Sequence, residues 1–170
     1  MEQSKVRIYC RKKNSHQRWD DLFTIKKDAI GAPYLLGEGT TCCSISHSGE
    51  YDVLAVSDEP IGVDLQVHRG EARGELIANR FFHREEAEYL RHHQSDDSKF
   101  YKVWTAKESY VKFTKTGIDE AFGKFSVIAE EFEVNQWNAI GVCFTILPFQ
   151  QGYTLCVCTK EKIEVEIIWP

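Results

Sequence analysis

The stretch that most constrains this chain is FYKVWTAKESYVKFTKTG, which runs from Phe100 to Gly117. Its apolar residues recur at the spacing of one helix face, which predicts an amphipathic α-helix. Lys107 falls in the middle of that face and Glu108 at its edge, with Lys112 one turn further on. Charged groups on a buried stripe are costly unless a partner, a metal or a ligand compensates them. The helix therefore either contains an internal ion pair or has something charged to hold.

A strand with polar residues on one face is predicted ahead of that helix. In the segment IGVDLQV, residues 61–67, apolar side chains alternate with Gly62, Asp64 and Gln66. The glycine beside Asp64 leaves room for a ligand to approach the backbone. Asp64 and Gln66 project side by side, as a cation site on a strand requires. A solvent-facing polar edge is the alternative interpretation of this strand.

A third polar cluster is the segment TTCCSISHS, residues 40–48. Hydroxyl groups, backbone amides and an imidazole in a tight turn suit an anion, because each can direct a donor at phosphate oxygens. The serine hydroxyls around His47 and the imidazole itself are the candidate anion ligands of this cluster. An ordinary serine-rich turn is the alternative.

Composition and charge narrow the class of protein. The chain has 170 residues, 42% of them hydrophobic, which suffices for one packed domain or two small lobes that share a core. A formal net charge of −5 argues against a general nucleic-acid binder. No apolar run reaches membrane-spanning length and residues 1–13 lack the apolar segment of a signal peptide, so we expect a cytoplasmic protein with no membrane partner. The six cysteines are then free thiols, and their spacing is not that of a zinc site.

The order of the remaining elements, strands then helices then strands, predicts an α+β fold with an antiparallel sheet. Alternation at Val6, Ile8 and Cys10 indicates an edge strand, and residues 19–30 suggest a short helix. Residues 51–56 and 61–67 are predicted to form a hairpin. Helices are predicted at 71–82 and 83–93, a turn at 135–138, and further strands at 125–129, 142–147, 153–159 and 163–169.

Three segments, in this order, carry a resemblance to a known family: SISHS at 44–48, IGVD at 61–64 and WTAKESYVK at 104–112. Together they resemble the signature of the Sfp-type 4′-phosphopantetheinyl transferases. The pattern G-[IV]-D alone has little specificity, but W-x-x-K-E-x-x-x-K behind it, with S-x-S-H-S ahead, is specific. Further agreement lies in Gly31-Ala32-Pro33-Tyr34, in Arg80-Phe81-Phe82 with Glu86 four residues on, and in Gly117-Ile118.

The resemblance implies two similar α+β lobes, with antiparallel sheets that each carry a packed helix and with coenzyme A in the cleft between the lobes. Residues 1–60 would form a reduced N-terminal lobe and residues 61–170 the C-terminal lobe with the metal site, in a single compact unit. The implied reaction transfers the 4′-phosphopantetheine arm from coenzyme A to a serine of an apo acyl or peptidyl carrier protein. It releases adenosine 3′,5′-bisphosphate and uses Mg²⁺, with Mn²⁺ as a possible substitute.

The resemblance also gives the catalytic and metal-binding residues expected roles. Asp64 and Glu108 would hold the cation, with Gln66 as a neutral ligand, directly or through water. Glu108 is the expected general base. Lys112 would contact phosphate or help to orient and deprotonate the incoming serine.

The expected coenzyme A ligands include Lys107 and Lys112 at the phosphates, and Ser46 and His47 at the nucleotide end. The chain departs from the family at Gln66, where many relatives carry a third acid, and at Ala32, where they commonly have lysine. It also has far fewer residues ahead of position 31 than the usual first lobe. A degenerate relative that binds coenzyme A or a carrier protein without turnover is therefore the alternative. A metal-dependent phosphohydrolase with the same two carboxylates is a second one.

Overall fold

Two β-sheets and one long helix organise the computed structural model, which describes residues 5–16, 18–37, 41–70, 74–116, 122–129 and 136–169. The helices in these ranges are α1 (Trp19–Leu22), α2 (Gly74–Phe81), α3 (Arg84–Arg91) and α4 (Asp97–Thr114), with a 3-10 turn at Phe122–Lys124. The strands are β1 (Lys5–Lys12), β2 (Thr24–Lys27), β3 (Pro33–Leu36), β4 (Thr41–Ser48), β5 (Tyr51–Ser57), β6 (Ile61–Val67), β7 (Gln136–Ala139), β8 (Val142–Leu147), β9 (Tyr153–Thr159) and β10 (Glu164–Ile168).

The first sheet has the strand order β10-β1-β5-β4-β3-β2 and the second has the order β6-β9-β8-β7. The second sheet is antiparallel throughout, whereas β10 runs parallel to β1 and makes the first sheet mixed. The α+β class is confirmed, but the expectation of antiparallel sheets holds only for the second sheet. Because β10 returns to the first sheet, residues on both sides of position 60 build that sheet; the division into lobes 1–60 and 61–170 stays a prediction.

The predicted hairpin between β5 and β6 is wrong. β5 pairs instead with β4, through a turn in which Gly49 takes a φ of 55°, and with β1. After β5 the chain crosses to the second sheet, where β6 pairs with β9. β1 is likewise not an edge strand, since it lies between β10 and β5 with Val6, Ile8 and Cys10 fully buried.

Three local predictions also differ from the structure. Residues 19–30 divide into α1 and β2 rather than forming one helix. Residues 125–129 are not a strand, and the turn predicted at 135–138 is instead β7 in its described part. The helices predicted at 71–82 and 83–93 are present as α2 and α3 within the described residues. The agreement expected at Gly117-Ile118 lies outside those residues.

The two sheets pack face to face, and α4 covers the outer face of the second sheet. Apolar side chains of β1 and β5 meet those of β6 and β9 in one core; they include Val6, Ile8, Val53, Val63, Leu65 and Val157. A second core joins α4 to α2, α3 and the cysteine-bearing face of β9. α4 begins where the Asp96 side chain accepts a hydrogen bond from the amide of Ser98, 3.0 Å away. None of the described helices is long and apolar enough to cross a membrane.

Candidate active site

The candidate site lies where β6 passes beneath α4. A methyl group added at Gly62 would overlap the carbonyl oxygen of Ser109 and the amide nitrogen of Phe113, so the helix backbone rests directly on the strand. The sequence predicted room for a ligand at Gly62, but the backbone of α4 fills that space. Asp64 lies on the same face of the strand, because side chains alternate, and it therefore faces α4. Glu108 is the acidic residue on the helix nearby, and it is 7% exposed against 2% for Asp64.

Three donors surround the Asp64 carboxylate. Its Oδ1 accepts hydrogen bonds from the Ser46 hydroxyl and from the Lys112 ammonium, each at 2.8 Å. Its Oδ2 accepts one from the Gln66 side-chain amide, also at 2.8 Å. Lys112 donates in addition to the carbonyl of Val63 at 3.1 Å, and its side chain is 29% exposed. Asp64 is thus held from β4, α4 and its own strand, and the lysine side chain is partly exposed to solvent.

Glu108 is held quite differently. Within the described residues its carboxyl group has no hydrogen-bond or ion-pair partner, and its oxygens are not fully buried. The pKa of Glu108 is raised from its ordinary value of 4.5 to about 7, mainly by burial and then by the negative charge of Asp64, while Lys112 acts in the opposite direction. The strand aspartate and the helix glutamate are therefore close enough to repel each other. The structure brings together Asp64, Gln66, Glu108 and Lys112.

This donor set fits a divalent cation. Two carboxylates and an amide are hard ligands of the kind Mg²⁺ prefers, and a cation between them would remove the repulsion that raises the pKa of Glu108. Magnesium commonly takes one or two protein carboxylates and completes its shell with phosphate and water. No larger group of histidine, cysteine and acidic side chains is placed to hold a metal among the residues that the structure describes.

Lys107 does not reach this site. It is fully buried, and its ammonium lies 2.7 Å from the Glu86 carboxylate, which is also fully buried, and donates to the carbonyl of Phe125 at 2.7 Å. The ammonium also lies 4.0 Å from the centre of the Phe125 ring. This is the internal ion pair that the sequence analysis gave as an alternative. Because its ammonium is bound to Glu86, Lys107 does not make the phosphate contact that was expected of it. Glu86, quoted above only as part of the motif, is its partner, and sequence periodicity gave no sign of the pairing.

Ser46 and His47 point to opposite faces of the first sheet. Both belong to β4, a regular strand where the sequence suggested a tight turn. Ser46 is buried and faces the second sheet, whereas His47 is exposed and lies in register with Asp52 on the outer face. The Ser46 hydroxyl is already engaged, by Asp64 and by the amide of Leu65 at 3.1 Å. The two residues therefore do not form one anion-binding turn, and Ser46 has no free donor for phosphate.

Two cavities open at opposite ends of β6. One, of about 460 Å³, is lined by residues that include Gln66, Val67, Ile77, Phe100, Tyr101 and Trp104. The other, of about 490 Å³, is lined by residues that include Pro33, Tyr34, Cys42, Ile61, Phe113 and Lys115. Asp64 lies between these ends on the same strand, and neither lining includes Asp64, Glu108 or Lys112.

Comparison with known proteins agrees with the motifs. The model of the 4′-phosphopantetheinyl transferase superfamily matches residues 60–164, which include β6, α4 and the residues around Asp64. A putative 4′-phosphopantetheinyl transferase of Synechocystis sp. is 32% identical over 141 residues, which are 72% of this chain and 56% of that protein.

Two Bacillus subtilis proteins are also similar to this chain. The 4′-phosphopantetheinyl transferase ffp is 36% identical and the 4′-phosphopantetheinyl transferase Sfp is 34% identical, each over 124 residues, which are 69% of this chain and 54% of either relative. The chain thus spans about half the length of the curated relatives it matches. The Sfp-type resemblance is confirmed, and the chain belongs to the 4′-phosphopantetheinyl transferase superfamily.

Proposed function

We propose that this chain transfers the 4′-phosphopantetheine arm of coenzyme A to a serine of an apo acyl or peptidyl carrier protein. The observation that carries the proposal is the juxtaposition of Asp64, Glu108 and Lys112 where β6 passes beneath α4. The names of the similar proteins support the reaction class, and the donor set supports Mg²⁺, with Mn²⁺ as a substitute.

In the proposed reaction the serine oxygen attacks the phosphorus that bears the pantetheine arm. A P–O bond forms to serine, and the bond to the bridging oxygen of the diphosphate breaks, which releases adenosine 3′,5′-bisphosphate. We assign the serine proton to Glu108, the carboxylate of the site that no described residue engages. A bound Mg²⁺, held by Asp64 and Glu108 with Gln66 beside them, would supply charge stabilisation at the diphosphate oxygens.

Lys112 is the cation that we assign to the phosphates. Its side chain is partly exposed, and its ammonium now rests on the Asp64 carboxylate, 2.8 Å away. A lysine side chain has a flexible four-carbon stem, so the ammonium can turn from the carboxylate towards a phosphate without backbone movement. Lys107 has no such freedom, because it is fully buried against Glu86, and the proposal assigns it no contact with phosphate.

The two cavities, at opposite ends of β6, suit the two ends of an elongated co-substrate. We assign the nucleotide end of coenzyme A to the cavity beside Pro33 and Lys115, and the arm to the cavity beyond Gln66. His47 is exposed on the other face of its strand, so it can meet only a phosphate that lies outside both cavities.

Mass spectrometry of carrier proteins tests the proposal. A panel of purified apo acyl and peptidyl carrier proteins is incubated with the chain, coenzyme A and Mg²⁺, and the mass gained by each carrier is measured. We expect the mass of one phosphopantetheine arm on the carrier's serine, no gain after chelation of the metal, and no gain with Glu108→Gln. Glu161→Gln, which replaces an exposed glutamate far along the chain, is the matched control and should keep full activity.

The same assay separates the alternatives. No gain on any carrier at any Mg²⁺ or Mn²⁺ concentration would refute the proposal; coenzyme A binding that persists would then identify a relative without turnover. Gln66 and Ala32, which stand where many relatives carry an acid and a lysine, are the residues that favour that alternative. Release of inorganic phosphate from simple esters without transfer would instead identify a phosphohydrolase.

A further inference from the structure

A row of serine hydroxyls joins the two sheets next to the candidate site. Ser44, Ser46 and Ser48 alternate along β4, and their hydroxyls accept hydrogen bonds from alternate amides of β6, at 3.0, 3.1 and 2.9 Å respectively. The other edge of β6 pairs with β9, so this edge has no strand of its own sheet beside it. The serines thus satisfy buried amides that a neighbouring strand would otherwise satisfy.

Ser46 differs from the other two members of the row. Its hydroxyl has one proton and already accepts from the Leu65 amide, so the contact of 2.8 Å to Asp64 Oδ1 is one in which Ser46 donates. Ser44 and Ser48, in the part of the chain that the structure describes, make only the contact to the amide. The direction of the Ser46 hydroxyl is therefore fixed by the backbone of β6 and aimed at one carboxylate oxygen.

We propose that Ser46 is a positioning residue whose hydroxyl orients the Asp64 carboxylate for the cation. This inference rests on the proposed function, because that function makes the orientation of Asp64 matter. Ser46 is 4% exposed and has a short side chain on a regular strand, so it holds the carboxylate with little loss of rotamer freedom.

The role of Ser46 becomes larger when Lys112 engages a ligand. Lys112 and Ser46 both donate to Oδ1 of Asp64, at 2.8 Å each. Once the ammonium turns towards a phosphate, Ser46 is the donor left on that oxygen, and Gln66 keeps the other oxygen in place. Partners of this kind, which orient a metal ligand without touching the metal, commonly change metal affinity when they are replaced.

Ser44→Ala is a matched control for Ser46→Ala. Each variant leaves one buried β6 amide, that of Val63 or Leu65, without its hydroxyl partner, but only Ser46→Ala also removes a donor from Asp64. The free Mn²⁺ signal in electron paramagnetic resonance measures metal affinity in the absence of coenzyme A. We expect a loss of Tm in both variants, larger in Ser46→Ala because it also removes a donor from a buried carboxylate, with Mn²⁺ affinity reduced about 10- to 100-fold only in Ser46→Ala. In the transfer assay, kcat should fall in Ser46→Ala while KM for coenzyme A stays within about twofold.

Equal Mn²⁺ affinity in the two variants would overturn the inference, and so would a higher KM for coenzyme A with kcat unchanged, which is the signature of a lost phosphate contact. A wild-type protein that binds no Mn²⁺, with or without coenzyme A, would also overturn it. A wild-type protein that modifies no carrier but binds Mn²⁺ in a Ser46-dependent way would leave the positioning role standing while the transferase proposal fails. If Ser46→Ala does not fold, proton NMR of the wild type decides: the Ser46 hydroxyl should exchange slowly with water, and exchange as fast as that of an exposed serine would contradict the role.

Discussion

Replacing Glu108 with glutamine should change how the stability of the protein depends on pH. The carboxyl group is buried, has no hydrogen-bond partner among the described residues and faces the charge of Asp64, so its pKa rises from 4.5 to about 7. Glutamine has nearly the same shape but does not titrate. The comparison of wild type with Glu108→Gln therefore isolates the titration of this one group from that of the others.

The sign follows from the direction of the shift. Between pH 4.5 and about 7 the folded state keeps a proton on Glu108 that the unfolded chain releases, so folding is stabilised at low pH and loses that stabilisation as pH rises. Integrating the linkage relation with these two pKa values gives a loss of about 2 kcal/mol from about pH 5.5 to about pH 8. For a chain of this length, that corresponds to roughly 4 to 8 °C in Tm.

The assay is urea denaturation of the metal-free protein, followed by circular dichroism, at a series of pH values. The free energy of unfolding of Glu108→Gln minus that of wild type should increase by about 2 kcal/mol across this range. Glu161→Gln, an exposed control, should give a constant difference. A difference for Glu108→Gln that does not change with pH would refute the reasoning, because it would mean that Glu108 titrates alike in the folded and unfolded states.

Three further outcomes follow from the packing and the charges. Mg²⁺ should raise Tm more at about pH 8 than at about pH 6 in thermal scans, because Glu108 must lose its proton to bind the cation. If Mg²⁺ raised the Tm of Glu108→Gln as much as that of the wild type, this reasoning would be wrong. Gly62→Ala should lower the free energy of unfolding by about 2 kcal/mol or more, because the added methyl group meets the backbone of α4. Gly37→Ala is the control: its methyl group has no atom within 4 Å, and it should change the free energy of unfolding by less than about 1 kcal/mol. Lys107→Met should lower the free energy of unfolding by about 3–5 kcal/mol in urea denaturation, because it leaves Glu86 as a buried charge without its ion-pair partner. The double variant with Glu86→Gln should recover most of that loss of stability. Normal stability of Lys107→Met with a raised KM for coenzyme A would mean instead that Lys107 binds phosphate.

The sequence was informative where periodicity and local chemistry determine structure. The long helix and the strand of Asp64 are present as α4 and β6, whereas the expectation that Asp64 lies near Glu108 came from the family resemblance. The pairing of strands was not predictable in the same way. β10 has the alternating pattern of an antiparallel strand, yet it lies parallel to β1, since a local pattern contains no information about which distant strand it will meet.

The hydrogen-bond partners of polar side chains were also not predictable from the local sequence. The alternating serines of β4 suggested an anion site, because hydroxyl groups suit phosphate as well as amides. Only the packing of β4 beside β6 shows that Ser46 is satisfied by Leu65 and Asp64. The same holds for Gly62. A glycine next to an acidic residue predicts that another group approaches the strand closely, and in the structure that group is the backbone of α4 rather than a ligand.

Lys107 and Glu108 are adjacent charged residues on one helix, but they lie in different environments. Consecutive residues on an α-helix point about 100° apart, so Lys107 enters the core beside Glu86 while Glu108 faces β6. Glu86 receives three donors, from Lys107 and from the amides of His83 and Val127, at 2.7 to 3.0 Å. Glu108 receives none from the described residues, and it faces a second carboxylate. The only fully buried side-chain nitrogen or oxygen without a partner in the described residues is Trp19 Nε1, so the Glu108 oxygens reach solvent, and the proposed cation would replace water at the one carboxylate of the pair that no side chain engages.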